Sequence, residues 1–63
     1  MIACVRFPGP EPQREYDLGT KAGLLRFVRE MEIETSARTD DGGYYHRIPE
    51  GMIVTIDNRR VGL

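Results

Sequence analysis

One cysteine, Cys4, and one histidine, His46, are all that the 63 residues hold of the two residue types that most often staple small domains. A single cysteine excludes an internal disulfide, and a lone histidine beside it supplies no ligand set for a structural metal. Catalysis lacks its usual materials as well. There is no glycine-rich phosphate loop joining a strand to a helix, no metal-ligand spacing, and no nucleophile flanked by a base and an orienting group. Cys4, His46 and a carboxylate make a triad only on paper, because any small protein containing those types allows the same exercise. Neither enzyme activity nor a cofactor or metal is expected. Adjacent Asp40 and Asp41 lack the further oxygen ligands at alternate positions that a calcium loop needs, and read as turn residues.

Long apolar runs are also missing. Nothing approaches the ~20 consecutive apolar residues of a membrane span, and the N-terminus has no basic region followed by an apolar core. The expectation is a cytoplasmic protein with no membrane partner. Charge of one sign is lacking too, since nine basic and ten acidic residues are interspersed along the chain. Without a basic stripe, nucleic acid is not expected as the main partner. Lysine is nearly absent, with Lys21 alone against eight arginines. GC-rich coding produces that ratio, and so does the enrichment of arginine at protein interfaces. A chain of this length makes one domain, 1–63, and buries only roughly 60% of its unfolded surface. Modest stability follows, which partner binding or self-association would raise.

What is present reads as short strands around one helix. Residues 2–7 are nearly continuous apolar sequence, the pattern of a central strand covered on both faces, with Cys4 as a small buried hydrophobe. Pro8, Pro10 and Pro12 remove three backbone donors and force a stiff exposed loop. Tyr16 and Leu18 alternate with charges, giving a half-exposed strand that closes a first hairpin. Leu24, Phe27, Val28 and Met31 then recur at i, i+3, i+4 and i+7 and define one helix face, with Thr20 as N-cap. Arg26 with Glu30, and Arg29 with Glu32, are spaced to pair on the solvated side. Gly23, near the first turn, would let the helix approach a strand closely. A weak strand is expected from Ile33 to Thr39, a turn at Asp40-Asp41-Gly42-Gly43, a returning strand over 44–48, a second turn at Pro49-Glu50-Gly51, and a last strand from Met52 to Asp57. Asn58-Arg59-Arg60 is either a further turn or the start of a free tail.

Tyr44-Tyr45-His46-Arg47 is the most chemically loaded run, because tyrosine and arginine are the preferred materials of binding hot spots. Alternation places Tyr44 and His46 on one face and Tyr45 and Arg47 on the other, one being core and one exposed. A protein-binding patch of Tyr45, Arg47 and Arg38, extended by Arg59 and Arg60, is the candidate site.

Three features together carry a resemblance: Leu24-Leu25 within the only helix, the Gly51 turn before Ile53-Val54-Thr55-Ile56, and Gly62 near the end. The chain resembles the small β-grasp, ubiquitin-like sulfur carriers of the thiamine and molybdopterin type. That resemblance implies a β-grasp-like fold and, in the family, a terminal Gly-Gly whose carboxylate is adenylated and thiolated. Leu63 stands in place of the second glycine, and Met52 where an acidic residue commonly follows the turn, so the carrier chemistry is the alternative reading. The fold class is α+β: a four- to five-stranded mixed or antiparallel sheet with one helix on one face. The leading function is a small non-catalytic module that docks on and modulates a larger protein or complex, with inhibition as the leading mode, in the manner of phage and mobile-element regulators of similar size. Self-association into a homodimer by strand addition is the second alternative.

Overall fold

The computed structural model describes residues 1–62; the sequence departure at Leu63 lies outside them. In chain order the elements are β1 (Ile2–Arg6), β2 (Arg14–Asp17), α1 (Lys21–Thr35), β3 (Ser36–Arg38), β4 (Tyr44–His46), β5 (Ile53–Ile56) and β6 (Arg59–Arg60). Four strands form a sheet in the order β2-β1-β5-β6, while β3 and β4 pair only with each other. Every pairing is antiparallel. The described residues therefore make one small α+β domain, a helix against a four-stranded sheet with a separate two-stranded ribbon.

The sheet is held in register by its apolar rows. Ala3 stands between Tyr16 and Ile56, and Val5 between Arg14 and Val54. Ala3, Val5, Tyr16, Met52 and Val54 are buried, with Phe7, Leu18, Phe27, Met31, Ile56 and Val61 packed around them. β1 is central, as its composition predicts, but it is not covered on both faces. Its burial alternates, with Ala3 and Val5 inside, Ile2 and Arg6 exposed, and Cys4 half-buried. The helix covers one face only, so on the other face Cys4 lies among the strand neighbours Glu15 and Thr55, with Glu15 and Gln13 side chains each 3.8 Å from Sγ.

Turn chemistry behaves as the residue types require. Gly51 takes φ 80° in the turn that Met52 N–H closes on Pro49 C=O. Asp57 and Asn58 both adopt positive φ, 50° and 65°, the requirement of a two-residue type I′ hairpin that short polar side chains tolerate. Residues 58–60 are thus a turn and a short strand rather than a free tail, and Val61 N–H donates to Val54 C=O at 2.9 Å.

α1 begins where Thr20 Oγ1 accepts from Gly23 N–H at 3.0 Å and donates to Asp17 C=O at 3.2 Å. Gly23 is needed there, because a Cβ at this position would sit 2.0 Å from the Asp17 carbonyl oxygen. The helix then runs further than the sequence pattern suggests, through Ile33 to Thr35. Thr35 Oγ1 donates to Met31 C=O and Ser36 Oγ to Glu32 C=O, so both hydroxyls bond back along the helix and the expected strand shrinks to three residues.

A cluster of charge and aromatic contacts fastens α1 to β2. Tyr16, 2% exposed, donates its hydroxyl to Glu30 Oε1 at 2.8 Å. Arg26 Nε reaches Glu30 Oε2 at 2.9 Å, and Arg14 bridges Glu30 and Glu34 at 3.5 and 3.2 Å. The Tyr16 ring lies 5.3 Å from Phe27 and carries the Arg26 guanidinium 4.8 Å above it. The Tyr16 hydroxyl, then Arg26, hold the Glu30 carboxyl below its ordinary range. Burial, and then the Glu30 contact, push the Tyr16 hydroxyl upward.

Gly23→Ala tests the close approach. Helix propensity alone favours the change by about 1 kcal/mol, but the clash with Asp17 makes it destabilising by about 1–3 kcal/mol. A thermal melt should show a drop of several degrees; an unchanged or raised melting temperature would refute the contact. The clamp has a pH signature. A carboxylate whose folded pKa is depressed stabilises the fold above its unfolded pKa and loses that stabilisation as pH falls through the folded one. Wild type should therefore weaken on acidification below the ordinary glutamate range. Tyr16→Phe should cost about 1 kcal/mol at neutral pH and flatten that acid limb, whereas parallel pH profiles would dismiss the hydroxyl as its cause.

Candidate functional site

The β3–β4 ribbon stands apart from the sheet because α1 passes directly into β3 at Ser36. Arg47 N–H donates to Thr35 C=O at 2.6 Å, and Thr39 N–H to Gly43 C=O at 2.9 Å, fixing the two ends of the ladder. Between them Ser36 faces His46, Ala37 faces Tyr45 and Arg38 faces Tyr44. The connecting loop of Asp40, Asp41 and Gly42, with Gly42 at φ 90°, is a three-residue hairpin turn. Asp41 Oδ1 accepts from the Thr39 hydroxyl and from Gly43 N–H. These contacts, the hydroxyl first, hold its carboxyl below the usual carboxylate range.

Both faces of this ribbon are open. Tyr44 is 71% exposed and Tyr45 49%, and Arg38, His46 and Arg47 are exposed as well. The sequence reading gave the ribbon one core face; among the described residues neither face is buried, Ala37 alone being half-buried. The register also redistributes the candidate patch. Arg38 shares a face with Tyr44, its guanidinium 5.6 Å from that ring, so it lies across the ribbon from Tyr45 and Arg47. Arg59 and Arg60 occupy the far edge of the main sheet, in register with Ile56 and Thr55. Successive strand residues point to opposite faces, which puts Arg59 on the helix side and Arg60 on the other. The five residues Arg38, Tyr45, Arg47, Arg59 and Arg60 are therefore not one contiguous patch.

What the structure does bring together is a shallow depression where the end of α1 meets the ribbon, formed by Glu32, Ile33, Ser36, Tyr44, Tyr45 and His46. Ile33, at 67% exposure, gives it apolar character beside the two rings. Sequence reasoning missed Tyr44 and Ile33. The three-residue loop was the available signal, because counting outward from it pairs Arg38 with Tyr44. A second cleft opens between α1 and the sheet, lined by Phe27, Val28, Met31, Met52, Val54 and Ile56 among others. Glu32 and His46 border both. Among the described residues no three histidine, cysteine, aspartate or glutamate side chains gather to hold a metal ion. The surface offers aromatic and aliphatic contact area with arginine beside it.

The chain matches no protein-family model, no curated protein and no solved structure. The functional reading accordingly rests on its own residues.

Asp41→Ala should loosen the ribbon without unfolding the sheet, since the two share no strand. Amide exchange at Thr39 should accelerate while Val54 stays protected and the melting temperature moves little; a uniform loss of protection would show that ribbon and sheet unfold as one unit.

Proposed function

We propose that this chain is a non-catalytic protein-binding module, docking on a larger protein or complex through the β3–β4 ribbon and the end of α1 and inhibiting that partner. One observation carries the reading: Ile33, Tyr44 and Tyr45 expose large apolar side chains around a single depression, with Arg38 stacked on Tyr44. Isolated exposed hydrophobes are ordinary on protein surfaces. A contiguous group rich in tyrosine, flanked by arginine, is the composition of an interface centre, where rigid aromatic rings give contact area at small entropic cost. The backbone adds to this, because a two-stranded ribbon leaves unpaired donors and acceptors along its outer edges, and an extended partner segment can pair with them. Arg47 lies in a neighbouring hollow with Glu34 and Glu50, so charge of both signs flanks the apolar centre.

The test is affinity capture from lysate of the native host with an N-terminal tag, comparing wild type with the Tyr44→Ala/Tyr45→Ala double variant. Wild type should retain one large protein or complex stoichiometrically. The double variant should bind it at least about 30-fold more weakly, the loss of one hot-spot residue or more. Its melting temperature should stay close to wild type because both rings are exposed. Arg47→Glu should weaken capture and Arg59→Glu, on the distant sheet edge, should not. Full retention by the double variant would remove the ribbon from consideration.

A further inference from the structure

The last turn of α1 poses a separate question, because its residues suit a strand as well as a helix. Ile33, Thr35, Ala37 and Thr39 alternate as strand residues do, and Ile33 and Thr35 are β-branched. Glu32 and Glu34 place two carboxylates at the negative end of the helix dipole, and the last turn holds no basic residue to offset them. Ile33 is 67% exposed, so its helical position buries little. No residue separates α1 from β3, and the cap at Ser36 is already extended, with φ −95° and ψ 138°. Helix and strand compete for the same residues.

The ladder of the ribbon already reaches one step into the helix. Its bonds fall at Thr39 with Gly43 and at Thr35 with Arg47, alternate pairs of an antiparallel ladder in this register. At the second pair only Arg47 N–H donates, to Thr35 C=O at 2.6 Å; the return bond is not made, because Thr35 N–H belongs to the helix. Continued in the same register, Glu34 would stand opposite Ile48 and Ile33 opposite Pro49. The ladder would then gain bonds from Thr35 N–H to Arg47 C=O and from Ile33 N–H to Pro49 C=O, and would end there because proline has no N–H to return. Against this stand local contacts of the helical form. The Thr35 and Ser36 hydroxyls bond to the Met31 and Glu32 carbonyls, Ser36 N–H bonds to Ile33 C=O, and Arg14 pairs with Glu34 at 3.2 Å. Breaking them leaves the Tyr16 bond to Glu30 in place.

We infer that residues 33–35 are a helix-to-strand switch: the last turn of α1 unwinds and joins β3, lengthening that strand from Ser36–Arg38 to 33–38. The helical form is the major one, and the strand form is a minor state in equilibrium with it. What changes is the outer edge of β3. Ser36 and Arg38 belong to the pairs without ladder bonds, so their N–H and C=O groups point away from β4. In the helical form Ser36 N–H is taken by Ile33 C=O, which leaves Arg38 alone with both groups on that edge. Unwinding frees Ser36 and adds Glu34, giving an edge over 34–38 as long as an ordinary strand, about five residues. The end of the helix thus sets how much edge the ribbon offers to an extended partner segment. That use rests on the ribbon reading; the transition itself does not.

The experiment is saturation-transfer NMR on the isotope-labelled full chain, which reads the Cα shifts of a minor state on the order of 0.1–10% of the molecules. Wild type should show one whose shifts move from helical to strand values at Ile33, Glu34 and Thr35, while those of Arg26 and Val54 do not change. Thr35→Val keeps the branched shape but removes the hydroxyl bond to Met31, and should raise the minor population about fivefold. Ile33→Ala, at an exposed position where alanine favours the helix, should lower it about twofold. Random-coil shifts at these residues would mean simple fraying of the helix end and would overturn the inference. So would the absence of exchange, or a population indifferent to both substitutions. The spectra are recorded without a partner, so their outcome stands apart from that of the capture experiment.

Discussion

The hydrogen bond from Tyr16 to Glu30 decides where the helix lies, and the shape of the molecule follows from that. Tyr16 is the large residue of an edge strand, its ring buried under Phe27 and its hydroxyl carried out to a carboxylate that two arginines also hold. A buried tyrosine must find a partner for its hydroxyl, and on α1 the partner is Glu30, one turn below Arg26. Charge-assisted contacts of this kind are directional. They fix the helix over β2, where an apolar stripe alone would have let it slide toward the sheet centre. At the other end of the strand the Gly23 backbone lies close against Asp17, a contact that no other residue type permits. Anchored at both ends to one edge, α1 reaches the β5 side of the core through Phe27 and Met31 and leaves a cleft beside Val54 and Ile56.

That placement also accounts for which apolar residues the sequence assigned correctly. The stripe of Leu24, Phe27, Val28 and Met31 was legible by spacing, yet only Phe27 and Met31 pack on the sheet. Periodicity reports that a face is apolar; it does not report how much of that face another element covers. The cap at Thr20, the role of Gly23, the first hairpin and the turns at Gly42 and Gly51 were legible because each depends on a local backbone demand that few residue types meet. The boundary between α1 and β3 was not. Ile33, Thr35, Ala37 and Thr39 alternate as a strand does, but Ile33, Glu34 and Thr35 continue the helix, where the hydroxyls of Thr35 and Ser36 bond back to Met31 and Glu32 carbonyls.

Pairing between distant segments was the least legible part. The sequence shows three short β-prone stretches after the first hairpin, and nothing local specifies which joins the main sheet. The structure gives β5 to β1 through Ala3, Val5, Val54 and Ile56, the most apolar row available, and leaves β3 and β4 to each other. The candidate patch was read as one surface because residue type was informative and register was not. Arg38 was grouped with Tyr45 when its neighbour is Tyr44, and Arg59 and Arg60 were joined to the ribbon although they form an edge strand of the main sheet.

A helix held to one sheet edge and a ribbon held only by its own ladder have a common energetic consequence. Each short element is ordered at an entropic cost on the order of 1 kcal/mol per residue or more, and apolar burial is the main term that offsets it. The first hairpin and β5 recover that cost within the chain, around Val5 and Tyr16. The ribbon does not, since neither of its faces is buried, and the outer helix stripe does so only in part. Glu32 and His46 border depression and cleft alike, at the point where α1 passes into β3 and the Thr35 carbonyl accepts from Arg47 N–H. The last turn of α1 therefore joins the part of the fold that buries its apolar residues to the part that does not.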